Sequence, residues 1–174
     1  IFTIHYHACT NYKKFFILNY LIEKPILKRA KKIIATSKSL SESPSLRLYK
    51  NKTSIIPLYL SDSDFNKPNI SDCSSKVQAV IQAKKYIVFV GRLVNYKNIP
   101  ILIKSFLRSL YPTYNLILVG NGPEADSCRA LISKLQIMKN VFLFDSIDNN
   151  EKRALFSSAE FSVLASTTSA EAFG

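Results

Sequence analysis

Residues 86–123 read YIVFVGRLVNYKNIPILIKSFLRSLYPTYNLILVGNGP. The runs Tyr86 to Val90 and Asn115 to Val119 are almost continuously apolar, the pattern of strands buried on both faces and therefore of a parallel sheet. Between them, Ile99, Leu102, Ile103, Phe106, Leu107 and Leu110 recur at spacings of three and four, which lays one apolar stripe along a helix from about Asn98 to Leu110. Strand, helix and strand in this order make a βαβ unit, and glycines follow both strands, at Gly91 and at Gly120 and Gly122.

The same alternation continues in both directions. Pro123 as a first-turn residue, followed by Cys128, Leu131, Ile132 and Leu135, predicts a second helix, and Val141 to Phe144 a further strand. Asp148 with Glu151 three residues on is a capping-box start to a third helix, before a strand over Phe161 to Leu164. Toward the N-terminus, strands are expected over Ile1 to Ile4, Lys32 to Ala35 and Thr53 to Ile56. A polar, turn-rich stretch follows between Leu58 and Lys85, with room for a short helix over about 74–83. The expected architecture is α/β, with parts of two Rossmann-like domains and parallel sheets: 1–66, a linker over 67–85, and 86–174.

Composition narrows the function classes. With 174 residues, 47% hydrophobic and 21% charged, the chain can bury a core and is not of disordered or collagen-like type. Cys9, Cys73 and Cys128 stand far apart with no Cys-x-x-Cys pair, which excludes a disulfide framework and points to a reducing cytosol. No apolar run reaches the 18 or so residues of a membrane span. The net charge of +12 is lopsided: residues 1–85 carry 15 Lys and Arg against 5 Asp and Glu, whereas 86–174 carry 9 against 7. A basic first half suits nucleic acid, anionic lipid or a phosphorylated ligand, or is simply a solvated surface. Ile1 in place of Met, and Gly174 inside a motif, lead us to expect a piece of a longer chain.

In open parallel sheets ligands bind at the carboxyl ends of strands, so the turns there hold the candidates. Gly91, Arg92 and Lys97 put two cations at the tip of the first quoted strand, just before a helix. An Arg fork, a Lys point charge and the free N–H groups of a helix start together can clamp a phosphate. Gly120-Asn121-Gly122-Pro123-Glu124-Ala125 fits Gly-x-Gly-x-x-Ala, with Asp145 placed where a dinucleotide-binding fold has its ribose-binding acid, so an NAD-dependent dehydrogenase stands as an alternative. His5 and His7 lie two residues apart at a strand end, without a third ligand for a metal. Glu171 sits in a polar loop suited to sugar hydroxyls. Lys24, Lys28, Arg29, Lys31 and Lys32, after an apolar stretch, read either as an amphipathic helix on anionic lipid or as a buried helix with snorkelling lysines.

Taken in order, Phe89-Val90-Gly91-Arg92-Leu93, Lys97, Leu118-Val119-Gly120-Asn121-Gly122-Pro123, Asn140-Val141 and Glu171-Ala172-Phe173-Gly174 resemble the family-four glycosyltransferases. These are retaining enzymes of GT-B fold, with two Rossmann-like domains facing a cleft. Thr3-Ile4-His5, Ile33-Ile34-Ala35-Thr36-Ser37 and Ile55-Ile56-Pro57 are similar to the end of that family's N-terminal domain. The resemblance implies that Arg92 and Lys97 hold the donor diphosphate, that Glu171 begins the Glu-x7-Glu motif and touches the donor sugar, and that Phe173 and Gly174 lie beside sugar and phosphate. It further implies that His5 reaches the donor sugar. Gly91, Gly120, Gly122 and Asp145 belong to the substrate-binding turns, Asp145 standing where the family usually has Gly. The implied partners are a nucleotide sugar, a glycan or polyprenyl-linked acceptor and a peripheral anionic membrane, with no nucleic acid, no metal and no cofactor. The implied role is cytoplasmic, in bacterial surface polysaccharide synthesis such as lipopolysaccharide or capsule. An inactive, truncated remnant is the remaining alternative.

Overall fold

A computed structural model of the chain describes residues 24–59, 68–83 and 85–167, which fall into two compact units, 24–59 and 68–167. In the first unit, residues 24–29 are helical and two short strands, β1 (Ile33–Ala35) and β2 (Thr53–Ile55), pair in parallel. Between the strands lies α1 (Lys38–Ser41), capped by the Ser37 hydroxyl oxygen, which accepts from the Leu40 amide at 3.1 Å. Leu27, Ile33, Ala35 and Leu46 form the small core. The Lys52 ammonium donates to the carbonyls of Leu27, Lys28 and Ala30 at 2.6, 2.9 and 2.8 Å, capping the end of the 24–29 helix with a cation where its dipole is negative. The expected strand at Ile1 to Ile4 lies outside the described residues.

The second unit is a three-layer sandwich. Its elements are α2 (Ser75–Ala83), β3 (Tyr86–Val90), α3 (Ile99–Ser109), β4 (Asn115–Val119), α4 (Ala125–Lys134), β5 (Val141–Phe144), α5 (Asn149–Ser158) and β6 (Phe161–Ser162). The four strands are parallel in the order β5-β4-β3-β6. Side chains alternate along a strand, and both faces are covered. Ile87, Phe89, Leu116 and Leu118 pack with α3 and α4, whereas Tyr86, Val88, Ile117 and Val119 pack with α2 and α5. That double coverage is why β3 and β4 carry apolar residues at nearly every position. The Tyr86 phenol donates to the Leu155 carbonyl at 2.9 Å, and burial pushes its pKa up to about 12. Cys73 and Cys128 are buried free thiols.

The stripe Ile99, Leu102, Ile103 and Phe106 is the buried face of α3, as its spacing requires. The capping box forms in full: Asp148 Oδ1 accepts from the Glu151 amide at 2.7 Å, and Glu151 Oε2 accepts from the Asp148 amide at 3.3 Å. Two expectations shift. Pro123 stands ahead of α4, because the Glu124 amide is taken by the Leu93 carbonyl at 3.0 Å and the helix starts only at Ala125. The last strand is ladder-paired only at Phe161 and Ser162, although the Val163 amide still reaches the Val88 carbonyl at 2.9 Å. The short helix expected over about 74–83 forms as α2, and its Val77 and Val80 are buried under the second sheet.

The topology selects a site. From β3 the chain steps through α3 to β4 and through α4 to β5, with both helices on one face. It then returns through α5, on the other face, to β6 on the far side of β3. Right-handed crossovers that step in opposite directions must place their helices on opposite faces. The strand order therefore reverses between β3 and β6, and the carboxyl ends of these two strands flank the crevice where ligands of such sheets bind.

Candidate functional site

The turn after β3 carries Gly91, Arg92 and, through a 3-10 turn over Asn95–Lys97, Lys97. It is laced to the turn after β4: the Gly91 amide donates to the Val119 carbonyl, and the Leu93 amide to the Asn121 carbonyl, both at 2.9 Å. Gly120 and Gly122 make this approach possible. Their φ values are 142° and 157°, and a Cβ on either would stand 2.0 Å from the Gly91 oxygen or 2.4 Å from the Leu93 oxygen. Their own amides are engaged, Gly120 with the Phe144 carbonyl at 2.8 Å and Gly122 with Asn121 Oδ1 at 2.7 Å. The two glycines thus set the shape and the close approach of the turns. With Pro123 lacking an N–H and the Glu124 amide occupied, the start of α4 offers little to the pyrophosphate of a dinucleotide.

Arg92 is exposed on its turn, while Lys97 retains only 9% exposure. Its chain runs past Gly91, where an added Cβ would lie 3.9 Å from Lys97 Cε, and its ammonium sits 5.5 Å from the centroid of the Tyr96 ring. The start of α3 is short of amides. Asn98, at φ 55°, donates its amide to the Asn95 carbonyl, Pro100 has none, and Ile101 donates to the Asn98 carbonyl. The free N–H groups expected there are mostly spent, so an anion at this turn depends on the side chains of Arg92 and Lys97.

The loop after β6 closes the other side. The Thr167 amide donates to the Tyr96 carbonyl at 3.0 Å and the Thr167 hydroxyl to the same oxygen at 3.4 Å. Tyr96 and Thr167 were not singled out from sequence; they are 71 residues apart, and no local pattern joins them. Asp145, expected to end its strand, stands one residue past β5 and is ion-paired with Arg129 of α4, so its carboxylate already has a cation. His5, Glu171, Phe173 and Gly174 lie outside the described residues.

A groove of about 830 Å³ runs between α2, the outer edge of β5 and the start of α5, lined by Val80, Phe142, Phe144, Lys76 and Glu151 among others. Of the candidates among the described residues, Asp145 alone lines it. A crevice with two cations at the strand-order reversal has the chemistry of an anion site, whereas this groove is mainly apolar, so the site is placed at the crevice.

The sequence model of the family described as glycosyl transferases group 1 matches residues 73–174. Over 137 residues the chain is 30% identical to an uncharacterised glycosyltransferase of Methanocaldococcus jannaschii, covering 76% of this chain and 33% of that protein. Over 144 residues it is 28% identical to the D-rhamnosyltransferase WbpZ of Pseudomonas aeruginosa, covering 82% of this chain and 36% of that protein. The chain thus spans about a third of the length of these curated relatives. Among solved structures, HepE of Anabaena, in complex with UDP and glucose, superposes with a TM-score of 0.71 at 17% identity, covering 96% of this chain and 46% of that one. Sucrose-phosphate synthase of Thermosynechococcus elongatus gives 0.70 at 22%, covering 99% and 45%. At these identities the likeness is one of fold, and it is the GT-B fold expected from the motifs.

Proposed function

The chain belongs to the group 1 glycosyl transferases, and from that premise we propose that it takes part in moving a hexose from a nucleotide-diphosphate sugar to a glycan or lipid-linked acceptor, with retention of configuration. One observation carries the reading: Arg92 and Lys97 share the turn after β3, at the crevice where strand order reverses, and the loop after β6 is bonded to that same turn. In this reading the bond between the anomeric carbon and the diphosphate oxygen breaks and its electron pair leaves with the diphosphate, an acceptor hydroxyl oxygen bonds to the anomeric carbon and gives its proton to the departing diphosphate, and the two cations offset the charge that develops there. Those cations take the part a metal plays elsewhere, so the reading calls on no metal and no other cofactor. Gly91, Gly120 and Gly122 shape the turns. By motif, Glu171 holds the donor sugar, Phe173 and Gly174 lie beside sugar and phosphate, and His5 approaches from the N-terminal domain.

HepE was crystallised with UDP and glucose, which supports UDP as the first nucleotide to try. The experiment is a calorimetric titration of the chain with UDP, GDP and NAD in turn, repeated with Arg92→Ala. Saturable UDP or GDP binding is expected to weaken about tenfold or more in the variant, the scale of one charge-assisted contact. NAD binding indifferent to Arg92 would refute the proposal. Within this reading the chain works in the cytoplasm in surface polysaccharide synthesis, and its basic first half supports peripheral contact with anionic lipid there. Sedimentation with anionic against neutral vesicles checks that contact, and equal pelleting with both would end it.

A further inference from the structure

We infer that Tyr96 is a positioning residue of the anion site, holding the Lys97 ammonium in place with its ring while its carbonyl anchors the loop after β6. The inference rests on the donor-site reading for its consequence and on contacts of the turn for its substance. Lys97 is 9% exposed although it sits in a surface turn, and its ammonium lies 5.5 Å from the Tyr96 centroid, inside the range in which the negative face of an aromatic ring attracts a cation. The stem also passes Gly91, close enough for an added Cβ to come within 3.9 Å of Cε. A long, flexible lysine is thereby packed against both a ring and a glycine, losing before any ligand arrives part of the rotamer freedom that binding would otherwise remove.

The backbone of the same residue does the second task. The Tyr96 carbonyl accepts both the amide and the hydroxyl of Thr167, at 3.0 and 3.4 Å. This ties the loop leaving β6 to the 3-10 turn that carries Lys97. Tyr96 therefore couples the two sides of the crevice through two different groups, and a side-chain substitution can test the ring alone, because the carbonyl remains.

The test uses the whole chain, with Tyr96→Leu removing the ring and Tyr96→Phe keeping it. First, the rate of Lys97 acylation by a water-soluble amine reagent is followed by peptide mass spectrometry, with exposed Lys104 as internal reference. Tyr96→Leu is expected to raise the Lys97 rate relative to Lys104 several-fold and Tyr96→Phe to leave it unchanged, with equal melting temperatures showing that both variants fold. Second, UDP titration is expected to weaken about fivefold in Tyr96→Leu and to be restored in Tyr96→Phe. A Lys97 rate equal in all three proteins overturns the inference, as does an increase that Tyr96→Phe shares. Should the unsubstituted chain bind neither UDP nor GDP, the donor reading falls while the acylation rates still decide the role of Tyr96.

Discussion

Glu151 is one carboxylate that caps two helices, and replacing it with Ala should destabilise the second unit by about 2 kcal/mol. Its Oε2 accepts from the Asp148 amide at the start of α5, and its Oε1 accepts from the Ser74 amide, 77 residues earlier in the chain, at the start of α2. Each helix-start bond is worth about 1 kcal/mol, and water reaches the exposed ends of both helices, so the sum of two such bonds is the right scale. In a domain of about 100 residues that lowers the melting temperature by roughly 8 °C or more. Hydrogen bonds from the Ser74 hydroxyl and amide hold the Glu151 carboxyl below its ordinary value of 4.5, against the opposing effect of burial. A lowered folded-state pKa means that the stabilisation is complete above the ordinary value and lost as the pH falls through the folded one. The gap between the wild type and Glu151→Ala should therefore be full at pH 7 and shrink below about pH 4. The assay is urea unfolding followed by far-ultraviolet circular dichroism, since the chain contains no Trp. A loss below about 0.5 kcal/mol, or a loss that does not shrink in acid, would refute the double-cap reasoning.

Gly122→Ala places a methyl group 2.4 Å from the Leu93 oxygen at a φ of 157°, and should cost at least about 3 kcal/mol; thermal melting checks it, and near-normal stability would contradict the close approach of the two turns. Lys52→Met keeps the apolar stem but removes the cation from three carbonyls, and should destabilise the first unit by about 2 kcal/mol. Hydrogen exchange at residues 24–30 reads that change, and unaltered protection there would count against the cap.

The sandwich of the second unit was legible because double burial writes itself into consecutive residues. Tyr86 to Val90 and Asn115 to Val119 are apolar at nearly every position since helices cover both faces, and Ile99, Leu102, Ile103 and Phe106 keep helical spacing since one face of α3 is covered. The Asp148–Glu151 capping box was equally readable, its partners lying within one turn. Arg92 and Lys97 could be located at a strand tip for the same reason, because a strand followed by a glycine turn is a local pattern.

Which groups the turns would meet was not local, and no spacing announces it. Gly120 and Gly122 suggested a phosphate cradle, yet it is the carbonyls of Gly91 and Leu93 that require them to lack side chains. Asp145 suggested a ribose-binding acid, and packing brought Arg129 against it. The partnerships of Glu151 with Ser74 and of Thr167 with Tyr96 likewise join distant residues. By itself the sequence determined which segments become strands and helices and which turns bear cations, because those depend on neighbours a few residues away. The tertiary structure alone decided that β6 returns beside β3 to form the crevice, and which donors and acceptors there are already spent, because hydrogen bonds between distant segments are settled only once the sheet has brought them together.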